Sequence, residues 1–216
     1  MKRVVITGMG IVSPIGSDVN TFWNNLKSGI CGISQITSFP IEDFVVKLAA
    51  EVKDFNPEEH EIDKALIRRS DRFTHFALVA AKQAMEDSKL EIAPERLGVY
   101  IGSGVGGIHT FLSESKKLME NGMGWISPLF IPTMISNMAA GNVAITYNAE
   151  GPCLPIVTAC ATGTHSIGEA YRAIKHGYAD AIITGGSEAA VTPIAIGGFA
   201  NAKALSRSED PLSASI

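Results

Sequence analysis

Of the three cysteines in this 216-residue sequence, Cys160 has the setting of a nucleophile. In "LPIVTACATGTHSIGEAYRAI" it lies between a strand-like run and the first turn of a helical pattern. A helix N-terminus presents unpaired N–H groups and partial positive charge, which favour a thiolate over a thiol. Small neighbours leave room for a substrate carbonyl, and the Cys160 N–H can donate to an oxyanion. The alternative is a small core hydrophobe, since cysteine is among the most buried residue types.

A thiol nucleophile needs a base, and the five histidines are the candidates. His165 follows Cys160 by five positions, so on one helix the two side chains lie about 140° apart. We therefore expect His165 to be a helix-surface or capping residue. His109 follows a glycine-rich loop, and its position relative to Cys160 stays open. The other three are predicted to lie on the surface or on helix faces: His60, His75 and His176.

A glycine-rich loop in "GVYIGSGVGGIHTF" follows a strand-like run and leads into a helical pattern. Its spacing, Gly102-x-Gly104-x-x-Gly107, is that of dinucleotide-binding loops, which also need an acidic residue about 20 positions further on. Glu120 has roughly that offset, but no second strand ends there. The pattern therefore favours a tight turn between strand and helix, and a nicotinamide-cofactor site is the weaker alternative.

A local basic patch interrupts an acidic chain of net charge -4. In "EIDKALIRRSDRF", Lys64, Arg68 and Arg72 are spaced four residues apart, and Arg69 lies beside them. On one helix they would form a single cationic stripe, which predicts an acidic partner. A solvated helix face without a partner is the alternative.

Strand-like runs alternate with helical patterns, which predicts the α/β class. Four runs ending near glycine or another small residue predict buried strands: "RVVITGMG", "LGVYIGSG", "LPIVTA" and "DAIITGG". Two helices are predicted to face the core. The first carries Phe73, Phe76, Ala77, Ala80 and Ala84, with Ser70 or Asp71 as N-cap; the second carries Ile167, Ala170, Tyr171 and Ile174, with Gly177 in the left-handed conformation after it.

Composition excludes several classes of protein. With 18 Lys and Arg against 22 acidic residues, a general nucleic-acid binder is not indicated. An odd number of cysteines without a C-x-x-C pair argues against a disulfide framework or a zinc knuckle. It predicts a reducing, cytoplasmic location. Cys31 and Cys153 are predicted to have structural roles. No window reaches the ~18 apolar residues of a membrane span. No metal-binding spacing is found. The polar tail "NAKALSRSEDPLSASI" is predicted to be a loop whose continuation is absent.

Four segments together resemble one enzyme family along the whole chain: "TACATGTHSIGEAYRAI", "DAIITGGSEAA", "SNMAAG" and "ITGMGIVSPIG". They are similar to the elongating β-ketoacyl-acyl carrier protein synthases, most closely type II. The resemblance implies the thiolase-like fold, in which two similar mixed αβ halves pack in layers, and a homodimer that uses no cofactor. It also implies that residues 1–216 form one N-terminal half domain, incomplete at its C-terminal end.

The resemblance assigns roles to particular residues. Cys160 would accept an acyl group from acyl carrier protein, and decarboxylation of malonyl-carrier protein would then give the carbanion that attacks the thioester. The acyl pocket would be lined or gated by Ile108, Phe130 and Phe199, for which plain packing is the alternative. Carrier protein would dock on Lys64, Arg68, Arg69 and Arg207. The family's two histidines, its lysine and the second oxyanion N–H have no counterpart here, so a half-synthase that binds carrier protein or a partner subunit without turnover is the main alternative.

Overall fold

The computed structural model of the protein describes residues 3–215, which form two compact units. The first unit comprises residues 3–10 and 56–189, and the second comprises residues 11–55 and 190–215. In chain order the helices are α1 (Val19–Lys27), α2 (Lys64–Arg68), α3 (Arg72–Ser88), α4 (Ile108–Asn121), α5 (Phe130–Met134), α6 (Met138–Thr146), α7 (Thr162–Lys175) and α8 (Pro193–Asn201). The strands are β1 (Ser34–Gln35), β2 (Leu48–Ala49), β3 (Leu97–Gly102) and β4 (Ala181–Gly186).

The first unit is built around the parallel pair β3 and β4. Their register runs from Leu97 opposite Ala181 to Gly102 opposite Gly186. All six residues of β3 are buried, as expected for a strand covered on both faces. Because the two strands are parallel, the segments that follow Gly102 and Gly186 leave from the same edge of the sheet.

Two of the four predicted strands are confirmed, and two are wrong. "LPIVTA" forms no strand: the bridge between Cys153 and Val99 lies just before it, and among the described residues only its Leu154 N–H bonds β3, at the Val99 carbonyl. "RVVITGMG" forms no strand. A β-carbon on Gly8 or Gly10 would overlap carbonyl oxygens of α3, so this segment lies against a helix. A β-branched run becomes a strand only where a ladder partner is available.

Helix α3 faces the core as predicted. Phe73 is completely buried and Phe76 is 9% exposed, while Ala80 and Ala84 are half-buried under the segment that carries Gly8 and Gly10. Asp71 occupies the predicted N-cap position, but its side chain makes no capping hydrogen bond. Its Oδ2 instead accepts from the N–H of Thr110, 2.7 Å away in the first turn of α4.

Helix α7 buries a different face from the one predicted. Of the predicted stripe, Ala170 is buried and Ile174 is half-buried, whereas Ile167 and Tyr171 are 50% and 45% exposed. The buried face consists of small side chains: Thr162, Ser166, Ala170 and Ala173. Small residues allow a helix to approach a sheet closely, which is why they are the ones that face it. Gly177 has a φ of +85° and follows the helix as predicted.

The second unit has its own apolar cluster. Ile36, Ile41 and Val46 pack with Ile196 of α8. The antiparallel strands β1 and β2 flank the stretch that carries the first three of these residues. After α8, residues 202–215 contain neither helix nor strand, in agreement with the predicted loop. In the described part of the chain, no helix is long and apolar enough to cross a membrane.

Candidate active site

Cys160 lies in a single helical turn, Ala159–Ala161, directly before α7. Glycines at the ends of both strands determine this position. A β-carbon on Gly186 would be 2.9 Å from the Cα of Gly163, so the first turn of α7 contacts the end of β4 backbone to backbone. A β-carbon on Gly102 would overlap the Ile156 carbonyl oxygen in the segment that leads to the turn. The turn therefore lies where the carboxyl ends of β3 and β4 meet. It begins α7 as predicted, although the segment before it is not the predicted strand.

The turn is strained and is held by side chains. Ala159 has a φ of +52°, a left-handed conformation that costs a non-glycine residue on the order of 1 kcal/mol. The Thr158 N–H donates to Thr162 Oγ1 over 2.9 Å, and the Thr158 hydroxyl is hydrogen-bonded to His165 Nδ1 at 2.7 Å. These bonds hold both sides of Ala159, so the strain persists.

The Cys160 thiol is accessible to a substrate, and its backbone N–H can donate to a substrate carbonyl. Cys160 is exposed, and within residues 3–215 no group outside its own turn accepts from its N–H. The N–H groups of the first turn of α7 point toward the same end of the helix. A carbonyl that reaches Sγ can therefore meet an N–H donor and the positive end of the helix dipole.

His165 lies on the helix surface, which is one of the two positions expected from its spacing. It is exposed and bonds Thr158, and no hydrogen bond joins it to Cys160 in the described part of the chain. His75 lies on α3, where burial lowers its pKa although its Nε2 is 3.1 Å from the Ile67 carbonyl oxygen. His109 lies in the first turn of α4 and is half-buried.

The glycine-rich loop joins β3 to α4 as predicted, and its glycines allow contacts within the protein. Gly106 has a φ of +77°. The Gly107 N–H donates to the Met134 carbonyl over 2.8 Å, and a β-carbon on Gly107 would be 2.6 Å from Met134 Cα. Glu120 lies in the last turn of α4, 3.8 Å from Lys116. The glycines thus have a packing role that needs no bound nucleotide.

Two of the three predicted pocket residues begin neighbouring helices. Ile108 is the first residue of α4 and Phe130 the first of α5, and both are half-buried. The bond between Gly107 and Met134 joins the start of α4 to the end of α5. Phe199 lies on α8 in the second unit and is 53% exposed.

The predicted cationic stripe is wrong as one continuous helix. α2 ends at Arg68, because the Ser70 hydroxyl bonds the Leu66 carbonyl and Asp71 begins a new helix. Arg72 belongs to α3, and its guanidinium lies 5.1 Å from the centre of the Phe76 ring. The remaining predicted docking residues are exposed: Lys64, Arg68 and Arg69 in the first unit, and Arg207 in the second. Lys64 is paired with Glu58 at 2.9 Å.

Sequence reasoning missed Glu188, which lies just after β4. Its Oε2 accepts from the Val105 N–H over 3.0 Å, and its Oε1 accepts from the Ser103 hydroxyl over 3.3 Å. The same hydroxyl accepts from the Gly106 N–H at 3.0 Å. The available signal was an acidic residue two positions after a strand, at the edge where the glycine loop also begins.

One family matches nearly the whole chain. The sequence model described as the beta-ketoacyl synthase N-terminal domain matches residues 1–215. The chain belongs to the beta-ketoacyl synthase family.

Curated relatives within the family are similar along nearly the whole chain. The 3-oxoacyl-[acyl-carrier-protein] synthase 2 of Staphylococcus aureus (strain COL) is 52% identical over 212 residues, which cover 97% of this chain and 51% of that protein. The protein of the same name from Synechocystis sp. is 45% identical, over 99% of this chain and 52% of its own length. The chain therefore spans about half the length of these relatives.

Solved beta-ketoacyl synthase structures share the fold. A beta-ketoacyl synthase from Burkholderia phymatum matches with a TM-score of 0.85 at 27% identity, over 97% of this chain and 52% of that one. A ketosynthase solved in complex with its type II polyketide synthase acyl-carrier protein matches with a TM-score of 0.79 at 25% identity, over 92% of this chain and 54% of that one. The predicted α/β class and thiolase-like fold are confirmed.

Three further observations concern parts of this beta-ketoacyl synthase chain other than the Cys160 site: the Cys153 thiol, the residue types that bind metals and a cavity in the second unit. Burial raises the pKa of the Cys153 thiol, although the residue as a whole is exposed. Among residues 3–215, no cluster of His, Cys, Asp or Glu side chains could hold a metal ion. A cavity of about 360 Å³ in the second unit is lined by Cys31, Ser34 and Lys53 among others, and by none of the predicted site residues.

Proposed function

We propose that this chain carries the nucleophile of a 3-oxoacyl-[acyl-carrier-protein] synthase of type 2, which elongates acyl chains in fatty acid synthesis. One observation carries the proposal: Cys160 is exposed in a strained turn at the N-terminus of a 14-residue helix, above the carboxyl ends of two parallel strands. The names of the S. aureus and Synechocystis relatives support the same activity.

The step proposed for these residues is acyl transfer. The Cys160 sulfur attacks the carbonyl carbon of an acyl-carrier thioester, a new C–S bond forms, and the carrier's C–S bond breaks. The carrier leaves as a thiol and takes up the proton that Cys160 has lost. During the attack, the Cys160 N–H and the helix N-terminus stabilise negative charge on the carbonyl oxygen.

The condensation that follows acyl transfer needs catalytic groups in addition to Cys160 and the N-terminus of α7. Decarboxylation of malonyl-carrier protein releases CO₂ and leaves a carbanion that attacks the Cys160 thioester and expels the thiolate. The family resemblance assigns this step to two histidines and a lysine that have no counterpart in these 216 residues. We therefore limit the proposal for this chain to acyl loading, because acid–base assistance alone contributes on the order of 10²–10⁴ in rate.

We further propose that Ile108 gates the acyl pocket, that Phe130 and Phe199 line it, and that the enzyme is a cytoplasmic homodimer. The half-buried positions of Ile108 and Phe130 on adjoining helices support a shared apolar surface. For acyl carrier protein, the proposed docking residues are Lys64, Arg68, Arg69 and Arg207. Their exposure supports this role, as does the related ketosynthase that was solved with its carrier protein.

The test of acyl loading is intact-protein mass after incubation with a medium-chain acyl-acyl carrier protein. We expect one acyl adduct on the unmodified chain and on a Cys31→Ala, Cys153→Ala double variant, and none on Cys160→Ala. An adduct that persists in Cys160→Ala would refute the nucleophile assignment. If no adduct forms while the Cys160 thiol still reacts with iodoacetamide, the non-catalytic half-synthase is favoured.

The test of carrier docking is charge reversal. We expect Arg68→Glu with Arg69→Glu to weaken carrier-protein binding steeply at low salt and less at high salt, since exposed charges are screened over about 10 Å at 0.1 M ionic strength. The matched control is Lys27→Glu with Lys116→Glu, which makes the same change in net charge elsewhere. Equal affinities of the two double variants would refute the docking surface.

A further inference from the structure

We propose that Glu188 is a positioning residue for the nucleophile: it fixes the glycine loop of residues 103–107, and this loop fixes the turn that carries Cys160. The inference deepens the proposed acyl-transfer function. It rests on that function only where the rate of acyl transfer is measured. Glu188 does not contact Cys160 and acts through two intervening backbone segments.

The first step is the attachment of the loop to Glu188. One carboxylate accepts from the Val105 N–H and the Ser103 hydroxyl, and Ser103 in turn accepts from the Gly106 N–H. Ser103 is 1% exposed and Val105 is 50% exposed, so the network is buried at Ser103 and open to solvent at Val105. Hydrogen bonds to a charged acceptor are about twice as strong as neutral ones. Glu188 therefore holds Val105 and Ser103 directly, and Gly106 through Ser103, at the point where the chain leaves β3.

The second step is the proximity of the loop to the nucleophile's turn. A β-carbon on Gly104 would be 3.0 Å from Glu188 Oε2, 3.7 Å from the Cα of Ala159 and 3.8 Å from its carbonyl oxygen. Glu188 and Ala159 thus both lie on the side of Gly104 that a β-carbon would occupy, and Ala159 directly precedes Cys160. Because Ala159 is held at a φ of +52°, it can relax if a neighbour that confines it moves. Any such relaxation rotates the following peptide, which carries the Cys160 N–H.

The third step is the chemistry of the side chain. In the described part of the chain Glu188 forms no ion pair, so its charge serves the two loop donors. Glutamine keeps one oxygen that can accept from the Val105 N–H, but it can meet the Ser103 hydroxyl only through its amide nitrogen as a donor, and both bonds are then neutral. Alanine keeps neither bond. Glu188 is itself exposed, so its removal creates no cavity in the core.

The experiment compares Glu188→Ala, Glu188→Gln and the control Glu120→Ala, which removes an exposed carboxylate with a single loose ion pair to Lys116. All variants carry Cys31→Ala and Cys153→Ala, so that Cys160 is the one thiol. Three quantities are measured: hydrogen exchange in peptides covering residues 103–107 and 158–161, the rate of Cys160 alkylation by iodoacetamide, and the rate of acyl transfer from acyl-acyl carrier protein.

For Glu188→Ala we expect hydrogen exchange in both peptides to rise about tenfold and acyl transfer to fall about tenfold, with thermal stability close to that of the control. Glu188→Gln should lie between the two, and Glu120→Ala should match the parent. A purely structural role would lower thermal stability and leave the transfer rate per folded molecule unchanged, so that result overturns the inference.

Failure of the proposed function is distinguishable from failure of this inference. If the parent chain accepts no acyl group, acyl loading is refuted, and hydrogen exchange and alkylation decide the positioning role. Unchanged exchange at residues 158–161 in Glu188→Ala, with an unchanged alkylation rate, refutes the positioning role whether or not the parent is acylated. Increased exchange there with an altered alkylation rate supports it.

Discussion

Helices α3 and α7 carry similar apolar patterns and use them differently. In α3 the large residues of the predicted stripe, such as Phe73 and Phe76, are buried. In α7 the large residues Ile167 and Tyr171 are exposed, and small side chains face the sheet. A pattern of spacing therefore identifies which residues share a face of a helix, but the partner decides which face is buried.

The difference follows from what each helix contacts. α3 must fill the volume beneath it and needs large side chains. α7 approaches β4 so closely that Gly163 meets Gly186 backbone to backbone, and larger side chains on that face would separate them. This close approach is what brings the Cys160 turn to the strand ends. The packing of α7 thus serves the site, whereas the packing of α3 serves stability.

The largest expected effect tests the buried face of α3. Phe73→Ala should lower the free energy of unfolding by about 3–5 kcal/mol, because a completely buried aromatic side chain leaves a cavity. Ile167→Ala, which shortens a half-exposed side chain on α7, should cost about 0.5 kcal/mol. Urea denaturation of both variants measures the contrast. Equal losses would mean that Ile167 is covered in solution and that the two helices do not differ as described.

The second effect tests the close approach at the strand ends. Gly102→Ala should destabilise the chain by about 1–3 kcal/mol and should also slow alkylation of Cys160, since the new β-carbon overlaps the Ile156 carbonyl and pushes away the segment that leads to the turn. Urea denaturation and the iodoacetamide rate are measured together. The control is Gly124→Ala, where no atom lies within 4 Å of the new β-carbon. Normal stability and normal reactivity of Gly102→Ala would contradict the proposed origin of the turn's position.

Local signals were sufficient for the parts of the fold that depend on neighbours in sequence. The helix start at Cys160, the strand that ends at Gly102 and the left-handed Gly177 each follow from a few adjacent residues. The prediction of one cationic stripe is wrong for a local reason too: Ser70 and Asp71, which the sequence predicts as a helix start, also interrupt the helix that the stripe needs. The run "RVVITGMG" failed because pairing with another strand is not encoded in the run itself.

Contacts between distant residues could not be predicted in this way. Glu188 lies 83 and 85 residues from its two donors, Val105 and Ser103. The parallel pairing of β3 with β4 places them together, and that register cannot be derived from a single sequence. The strain at Ala159 is likewise invisible in sequence, since alanine is an ordinary helix former and is rarely found with a positive φ.

A smaller expected effect is the pH dependence of stability that comes from His75, which α3 partly buries. Burial lowers the pKa of His75 below its ordinary 6.5, although the Ile67 carbonyl and the charge of Asp71 act in the opposite direction. The unfolded chain therefore binds the proton more readily, so stability is complete above pH 6.5 and decreases as the pH falls through the lowered pKa of the folded state. We expect the free energy of unfolding to fall between pH 7 and pH 5, and less so in His75→Gln. Identical pH profiles for the two proteins would contradict this assignment.

The smallest expected change in the free energy of unfolding tests the exposed face of α7, where the informative result is whether the variant is stabilised or destabilised. Gly168 lies inside the helix, and no atom lies within 4 Å of the β-carbon that alanine would add. Gly168→Ala should therefore stabilise the chain by about 0.5–1 kcal/mol, because alanine loses less backbone entropy in a helix. Gly163→Ala is the matched comparison on the buried face, where the new β-carbon would be 3.4 Å from the Gly186 nitrogen and the gain should be offset. If Gly168→Ala instead destabilises the chain in a concentration-dependent way, another surface covers this face of α7 in solution. The two helices would then be buried to a similar extent, and they would differ only in the partner that buries them.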